Sequence, residues 1–189
     1  MKKTSYQILF STAKNLFFKF GLRRVSVEEI CNKASVSKMT FYRNFNNKEH
    51  IAIIILKDFL NESLQVYKDI MSKNISFPKK VENLILNDKN YIEQLGPEFI
   101  GDVYNYKTSM FSNLLEKSDA LFYAELRNDF IQAQNNGDLR KETPVDFYLH
   151  MMDSIKEKMN DQELKKLYKD EKVMLMDLTN FFFYGIMAK

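Results

Sequence analysis

With 189 residues, 45% of them apolar, and 28 Lys/Arg against 25 Asp/Glu for a net charge of +3, the chain is long enough for one large or two small domains with a real core. Five Gly and three Pro are few for an all-β fold and suit long helices with short connections, and one cysteine excludes an internal disulfide framework. No apolar run reaches the length of a membrane span and no apolar signal segment follows the N-terminal lysines, so a soluble cytoplasmic protein is expected.

The charge is unevenly spread. Residues 1–50 carry ten Lys/Arg and three acids, a net +7, whereas the remainder carries 18 basic against 22 acidic residues, a net −4. A basic head on an acidic body fits a polyanion-binding module joined to a different one.

Lys2 and Lys3 read as a mobile basic arm. From Tyr6 to Phe20, the residues Leu9, Ala13, Leu16, Phe17 and Phe20 recur at helical spacing, and Gly21 suits a C-terminal stop. Ser26 and Glu29 have capping-box spacing, so a second helix is expected from Val27 with Ile30, Cys31 and Ala34 on one face. Ser35 and Val36 supply a turn, and Ser37 can cap a third helix opening at Lys38. On that helix Phe41 and Phe45 share one side, while Lys38, Thr40, Tyr42, Arg43 and Asn44 occupy the other. Asn47 can cap a fourth helix with Lys48 in its first turn. Phe17, Phe20, Ile30, Val36, Phe41 and Phe45 are expected to form the small core. A helix, a short turn and a second helix with one inward apolar face is helix-turn-helix geometry. The polar side of the second helix of that pair is the part suited to a DNA major groove.

The fourth helix is expected to reach about Ser72, with Ile51, Ile54, Ile55, Phe59, Leu64 and Tyr67 inward. Ser76-Phe77-Pro78 breaks the chain, and a helix with Val81, Leu84, Ile85 and Ile92 follows to about Leu95. After Gly96-Pro97 comes a short helical or irregular segment from Glu98 to Tyr106. A long helix then spans Thr108 to Asn135, with Phe111, Leu114, Leu115, Leu121, Phe122, Leu126, Phe130 and Ile131 apolar, and ends at Asn136-Gly137. Pro144 to Met159 forms the next, with Phe147, Tyr148, Met151, Met152 and Ile155 on its apolar side. The last runs from Glu163 to Met187 with an interruption near Asp170. Its Phe181-Phe182-Phe183 would expose large rings on at least one side. A homodimer interface through the last two helices is expected, against the alternative of burial within the same domain.

Gly21, Ser26-Val27-x-x-Ile30, Ala34-Ser35-Val36-Ser37-Lys38-x-Thr40-Phe41-Tyr42-x-x-Phe45 and Asn47-Lys48-Glu49 together resemble the DNA-binding domain of TetR-family transcriptional regulators, over roughly the first quarter of the chain. Ser35 stands where that family usually has Gly, and Met39 where it has Gly or another small residue. The resemblance implies an all-α protein, with a three-helix helix-turn-helix DNA-binding domain at 1–50 and a larger helical ligand-binding and dimerisation domain at 51–189. It implies a homodimer on a palindromic double-stranded DNA operator, most simply a repressor released by a small-molecule ligand, with the fourth helix linking head to body. It also implies phosphate contacts for Tyr42 and Lys48. Ser26, with the free amides of its helix, is a further phosphate candidate, and Lys38, Thr40 and Arg43, with Ser37, are candidates for base contact.

A ligand cavity is likewise implied by the resemblance rather than by a signature. Tyr91, Phe99, Tyr104, Tyr106, Met110, Phe111, Tyr123, Arg127, His150 and Met151 are candidate lining residues, and plain core is the competing reading for the aromatic and Met positions. Arg127 either pairs an anionic ligand or lies on a solvated face with Glu125 and Asp129. His150 either meets a ligand or is a core or interface histidine. Neither an enzyme nor a cofactor is expected: there is no Gly-rich phosphate loop, His50 and His150 have no metal-ligand spacing, and Cys31 points inward. Two rival readings stay open. One is a DNA-binding regulator or architectural protein with no small-molecule pocket, controlled by a protein partner. The other is a helical interaction protein whose head no longer binds DNA.

Overall fold

The structure is a computed structural model that describes residues 4–77, 79–81, 83, 84, 87, 96, 98, 99, 101, 102, 109–159 and 161–186, with the backbone alone at 109, 110, 152, 156, 171 and 172. Eight α-helices and no β-strand occur among the described residues. They are α1 (Ser5–Phe20), α2 (Val27–Ala34), α3 (Lys38–Asn44), α4 (Lys48–Met71), α5 (Ser109–Asn136), α6 (Val145–Lys158), α7 (Gln162–Lys166) and α8 (Glu171–Ile186). Helical backbone also recurs at described positions between 77 and 87 and between 98 and 102. The expectations for Lys2, Lys3, Pro78, Ile85 and Ile92 lie outside the described residues.

Two compact units divide the chain: Met1–Ser63 with Gln94–Glu116, and Leu64–Glu93 with Lys117–Lys189. The first begins with α1, whose start is fixed by Thr4. Its hydroxyl accepts the Gln7 N–H while the Gln7 side chain accepts the Thr4 N–H, a reciprocal cap that satisfies two otherwise free amides. Gly21 ends the helix at φ 83°, in the region that favours glycine, and its N–H reaches the Phe17 carbonyl.

Phe17, Ile30, Phe41 and Phe45 are buried as expected, joined by Leu9, Leu22 and Val25. Phe20 and Val36 are only half-buried, contrary to expectation. Phe20 lies in the last turn of α1, where its ring faces the Arg24 guanidinium at 4.3 Å and the Lys19 ammonium at 5.2 Å, a cation–π arrangement at the surface. Leu22 and Val25 from the following turn are buried instead. Lys14 ties α1 to α4 by donating to Asp58 at 3.2 Å and Glu62 at 2.9 Å. Burial alone would lower its pKa, but those two bonds outweigh burial and raise it.

The second unit surrounds a core that includes Tyr67, Ile70, Phe77, Val81, Leu126, Phe130, Tyr148, Leu149, Phe182, Phe183 and Ile186. Several expected inward positions differ. Leu121 and Ile131 on α5 are exposed, and on α6 the buried pair is Tyr148 and Leu149 while Phe147 and Met151 face outward. Apolar residues line both sides of α6, so its sequence leaves the buried phase open by about one residue. Tyr148 decides it by packing edge-on to Phe130, with centroids 5.9 Å apart. On α8, Phe182, Phe183 and Ile186 go inward, leaving Phe181 (80% exposed) and Tyr184 (65%) outward.

Tyr67, 5% exposed, donates to Asp129 at 2.7 Å and so joins α4 to α5 within this unit. Burial, reinforced by the Asp129 carboxylate, raises its phenol well above the ordinary tyrosine range. A raised pKa stabilises the fold fully below the unfolded value near 10 and loses that contribution as pH rises above it. Tyr67→Phe is therefore expected to lower unfolding stability at neutral pH by about 1–2 kcal/mol in urea titrations. The gap from the parent protein should narrow above pH about 10.

Candidate nucleic-acid interface

Three side chains terminate or open the helices that carry this site. Ser26 accepts the Glu29 N–H at 3.1 Å and starts α2, realising the cap half of the expected box. Ser37 accepts the Thr40 N–H at 3.1 Å and starts α3. Asn47 accepts the His50 N–H at 2.8 Å and starts α4. Between α2 and α3 the backbone turns at Ser35, in the left-handed region at φ 55° and ψ 44°. This is the conformation a glycine takes without steric cost, and a serine adopts it here at a penalty of about 1–2 kcal/mol. The turn is closed by the Val36 N–H donating to the Cys31 carbonyl at 3.1 Å.

Phe41 is fully buried and Phe45, just beyond α3, is buried beside it, so the opposite side of the helix must face solvent. Lys38, Met39, Tyr42 and Arg43 are exposed there, Met39 at 66% and Tyr42 at 55%, with Thr40 and Asn44 half-buried at the margins. Thr40 and Ser37 share a hydroxyl–hydroxyl bond of 3.0 Å, and Asn44 donates back to the Thr40 carbonyl at 2.8 Å. Lys38 pairs with Glu28 of α2 at 3.4 Å. Arg43 rests a guanidinium nitrogen 3.6 Å from the Met39 sulfur.

Lys48 is placed differently from its neighbours. Its ammonium donates to the carbonyls of Leu22 at 3.0 Å and Arg23 at 3.3 Å, bracing the turn between α1 and α2. An ammonium has three donors, so one remains for a phosphate while two hold the turn. Cys31 is buried beneath the pair of helices, and burial pushes its thiol up, which removes thiolate character at neutral pH.

The described ligand candidates belong to both units. Phe99 is buried in an aromatic cluster with Phe18 and Phe59, and Phe111 is fully buried in the same unit. In the other unit Tyr123 donates to Asp153, Arg127 is exposed and held by Asp146, and His150 and Met151 lie on the exposed side of α6. Arg127 and His150 are both exposed within this chain. Tyr91, Tyr104, Tyr106 and the Met110 side chain lie outside the described residues. Among the described residues no cluster of three His, Cys, Asp or Glu side chains is arranged to hold a metal ion, and no helix is long and apolar enough to cross a membrane.

A capped helix pair with a tight turn and an exposed polar second helix is helix-turn-helix geometry, the arrangement that DNA-binding proteins of this class place in a major groove. Residues 9–53 match the family described as bacterial regulatory proteins, tetR family. The chain is 29% identical over 97 residues to the transposon Tn10 TetC protein of Escherichia coli, covering 48% of this chain and 49% of that one. It is 27% identical over 85 residues to the HTH-type transcriptional repressor KstR2 of Rhodococcus jostii strain RHA1, covering 45% and 42%. The chain thus spans about half the length of these two relatives. The regulatory protein TetR from Rhodobacter sphaeroides superposes over 97% of this chain and 100% of its own with a TM-score of 0.76, at 16% identity, a likeness of fold. The likeness to the tetR family is thus one of the segment 9–53, which holds α2, α3 and the start of α4.

Glu28 escaped sequence reasoning as a functional residue, because its partner Lys38 lies across the turn at a spacing no local rule marks. Its carboxylate already holds the lysine that is a candidate for base contact. Glu28→Gln should raise affinity for duplex DNA about two- to fivefold at low salt, measured by fluorescence anisotropy, the range set by an exposed ion pair. Adding Lys38→Gln should abolish the gain.

Proposed function

We propose that this protein is a sequence-specific DNA-binding transcriptional regulator acting as a homodimer, most simply a repressor that leaves a palindromic operator when a small molecule binds. The observation that carries this reading is the outward face of α3, where Lys38, Met39, Tyr42 and Arg43 are exposed on a helix anchored by Phe41. A net charge of +7 over residues 1–50 supplies the long-range attraction to phosphate. The relative named a transcriptional repressor supports the direction of control.

In this reading residues 1–50 are the DNA-binding domain and 51–189 the ligand-binding and dimerisation domain, in a cytoplasmic protein. Ser26, Tyr42 and Lys48 hold phosphates, and Lys38, Thr40 and Arg43, assisted by Ser37, meet base edges. The last two long helices, α6 and α8, pair across a twofold axis. Phe147 and Met151 on α6, with Val173, Phe181 and Tyr184 on α8, supply an apolar surface that a soluble monomer would leave in water. The ligand acts by favouring a dimer geometry whose head spacing no longer fits the operator.

Anisotropy titrations with duplex from upstream of the protein's own reading frame, across a salt series, test the first half. Tight, salt-sensitive binding well above that for scrambled DNA is expected. Lys48→Ala should weaken all sequences alike and reduce the salt slope by about one, and Tyr42→Phe should also weaken them uniformly. Thr40→Ala should change preference among sequences. No binding at low salt would refute the reading. For the second half, Phe181→Lys should convert the dimer to monomer in sedimentation velocity, and an unchanged dimer would move the interface elsewhere.

A further inference from the structure

The turn from Gly21 to Val25 is gripped on opposite sides by two charges that come from distant parts of the chain. Asp102, its side chain only 12% exposed, accepts the Arg23 backbone N–H at 2.9 Å and the Arg23 Nε at 3.2 Å. Lys48 donates to the carbonyl of the same residue, Arg23, and to that of Leu22. The peptide groups on either side of Arg23 are therefore fixed by an acceptor and a donor that the turn does not itself supply.

Two glycines make this approach possible. A Cβ on Gly21 would stand 2.7 Å from the Asp102 carboxylate, and Gly21 also has the positive φ that ends α1. A Cβ on Gly96 would stand 2.5 Å from the Lys19 carbonyl. With no side chain there, the Gly96 N–H reaches the Phe18 carbonyl at 2.6 Å and satisfies one of the last carbonyls of α1, which have no partner inside the helix. Phe99, following closely, packs on Phe18 with centroids 4.7 Å apart. The described residues from 96 to 102 thus bind the end of α1 at three points, all within one compact unit.

We propose that Asp102 is a positioning residue for DNA recognition. It holds the turn that delivers Ser26 and the first amides of α2, and through α2 the angle of α3. This rests on the DNA-binding reading above. Lys48 can give its third donor to a phosphate while two hold the Leu22 and Arg23 carbonyls, and Asp102 holds the Arg23 N–H, which an ammonium has no lone pair to accept. Loss of the grip loosens register on the bases while leaving the basic surface intact, so specific binding falls and non-specific binding does not.

Asp102→Ala removes both bonds, whereas Asp102→Asn retains an oxygen that can accept the Arg23 N–H. The test compares each with the parent chain on a duplex that the parent protein selects from a random-sequence pool and on a scrambled duplex. Amide hydrogen exchange over residues 21–26 is read on the free proteins. The alanine variant should lose about five- to tenfold in the ratio of selected to scrambled affinity, and its turn amides should exchange faster. The asparagine variant should lose less on both readouts. An alanine variant with the parent's affinity ratio overturns the proposal, whether or not the turn has loosened. A fallen ratio with unchanged exchange overturns it as well, because the turn would then not be the route. If the parent chain itself selects no sequence, the DNA-binding reading fails instead, and failure of the parent rather than of a variant tells the two apart.

Discussion

Burial of Phe41 and Phe45 against α1 and α2 is the constraint on which the rest of the head depends. The helix that carries the exposed polar face is only seven residues long, far too short to persist in water by its own hydrogen bonds. Its orientation is a consequence of desolvating those two rings, each worth about 1.5–3 kcal/mol when taken from water to a packed interior. Leu9, Phe17, Leu22 and Ile30 are buried in the same unit. Every outward side chain on α3 is outward because Phe41 is inward, so the chemistry of the surface is set from beneath.

The surface that results is basic but not simply so. Glu28 answers Lys38, and Asp102 answers Arg23, so two cations in a region of net positive charge already have acidic partners. Such partners reduce indiscriminate attraction to polyanions and leave more of the binding energy to groups whose position matters. The other unit presents a different surface. Its outward Phe147, Phe181 and Tyr184 contrast with the buried Tyr148, Leu149, Phe182 and Phe183 of the same helices, and they form the surface that the proposed pairing of copies would cover.

Much of the head was legible in the sequence because its signals are local. Ser26, Ser37, Asn47 and Gly21 act within four residues of themselves, and the helix ends fall where those residues place them. Ser35 was legible for a related reason: a turn that short needs a left-handed residue, whatever side chain stands there. What could not be read were the groups that act at long range. Nothing around Asp102 marks it as the partner of Arg23, 79 positions away, and nothing around Lys48 marks its hold on Leu22. The phase of α6 was misread because Phe147, Tyr148 and Met151 are interchangeable by hydropathy, and only the position of Phe130 separates them. Ligand candidates chosen by residue type alone divided between core and surface, since an aromatic ring serves either purpose.

The central claim is that two heads of this form read a symmetric DNA sequence. Selection of duplexes from a random pool by the purified protein, followed by sequencing of the enriched molecules, measures this without knowledge of any operator. The account predicts an inverted repeat whose half-sites lie one or more helical turns apart and whose binding weakens steeply with salt. Enrichment of no sequence, or of a single unpaired half-site bound with equal strength, would contradict it.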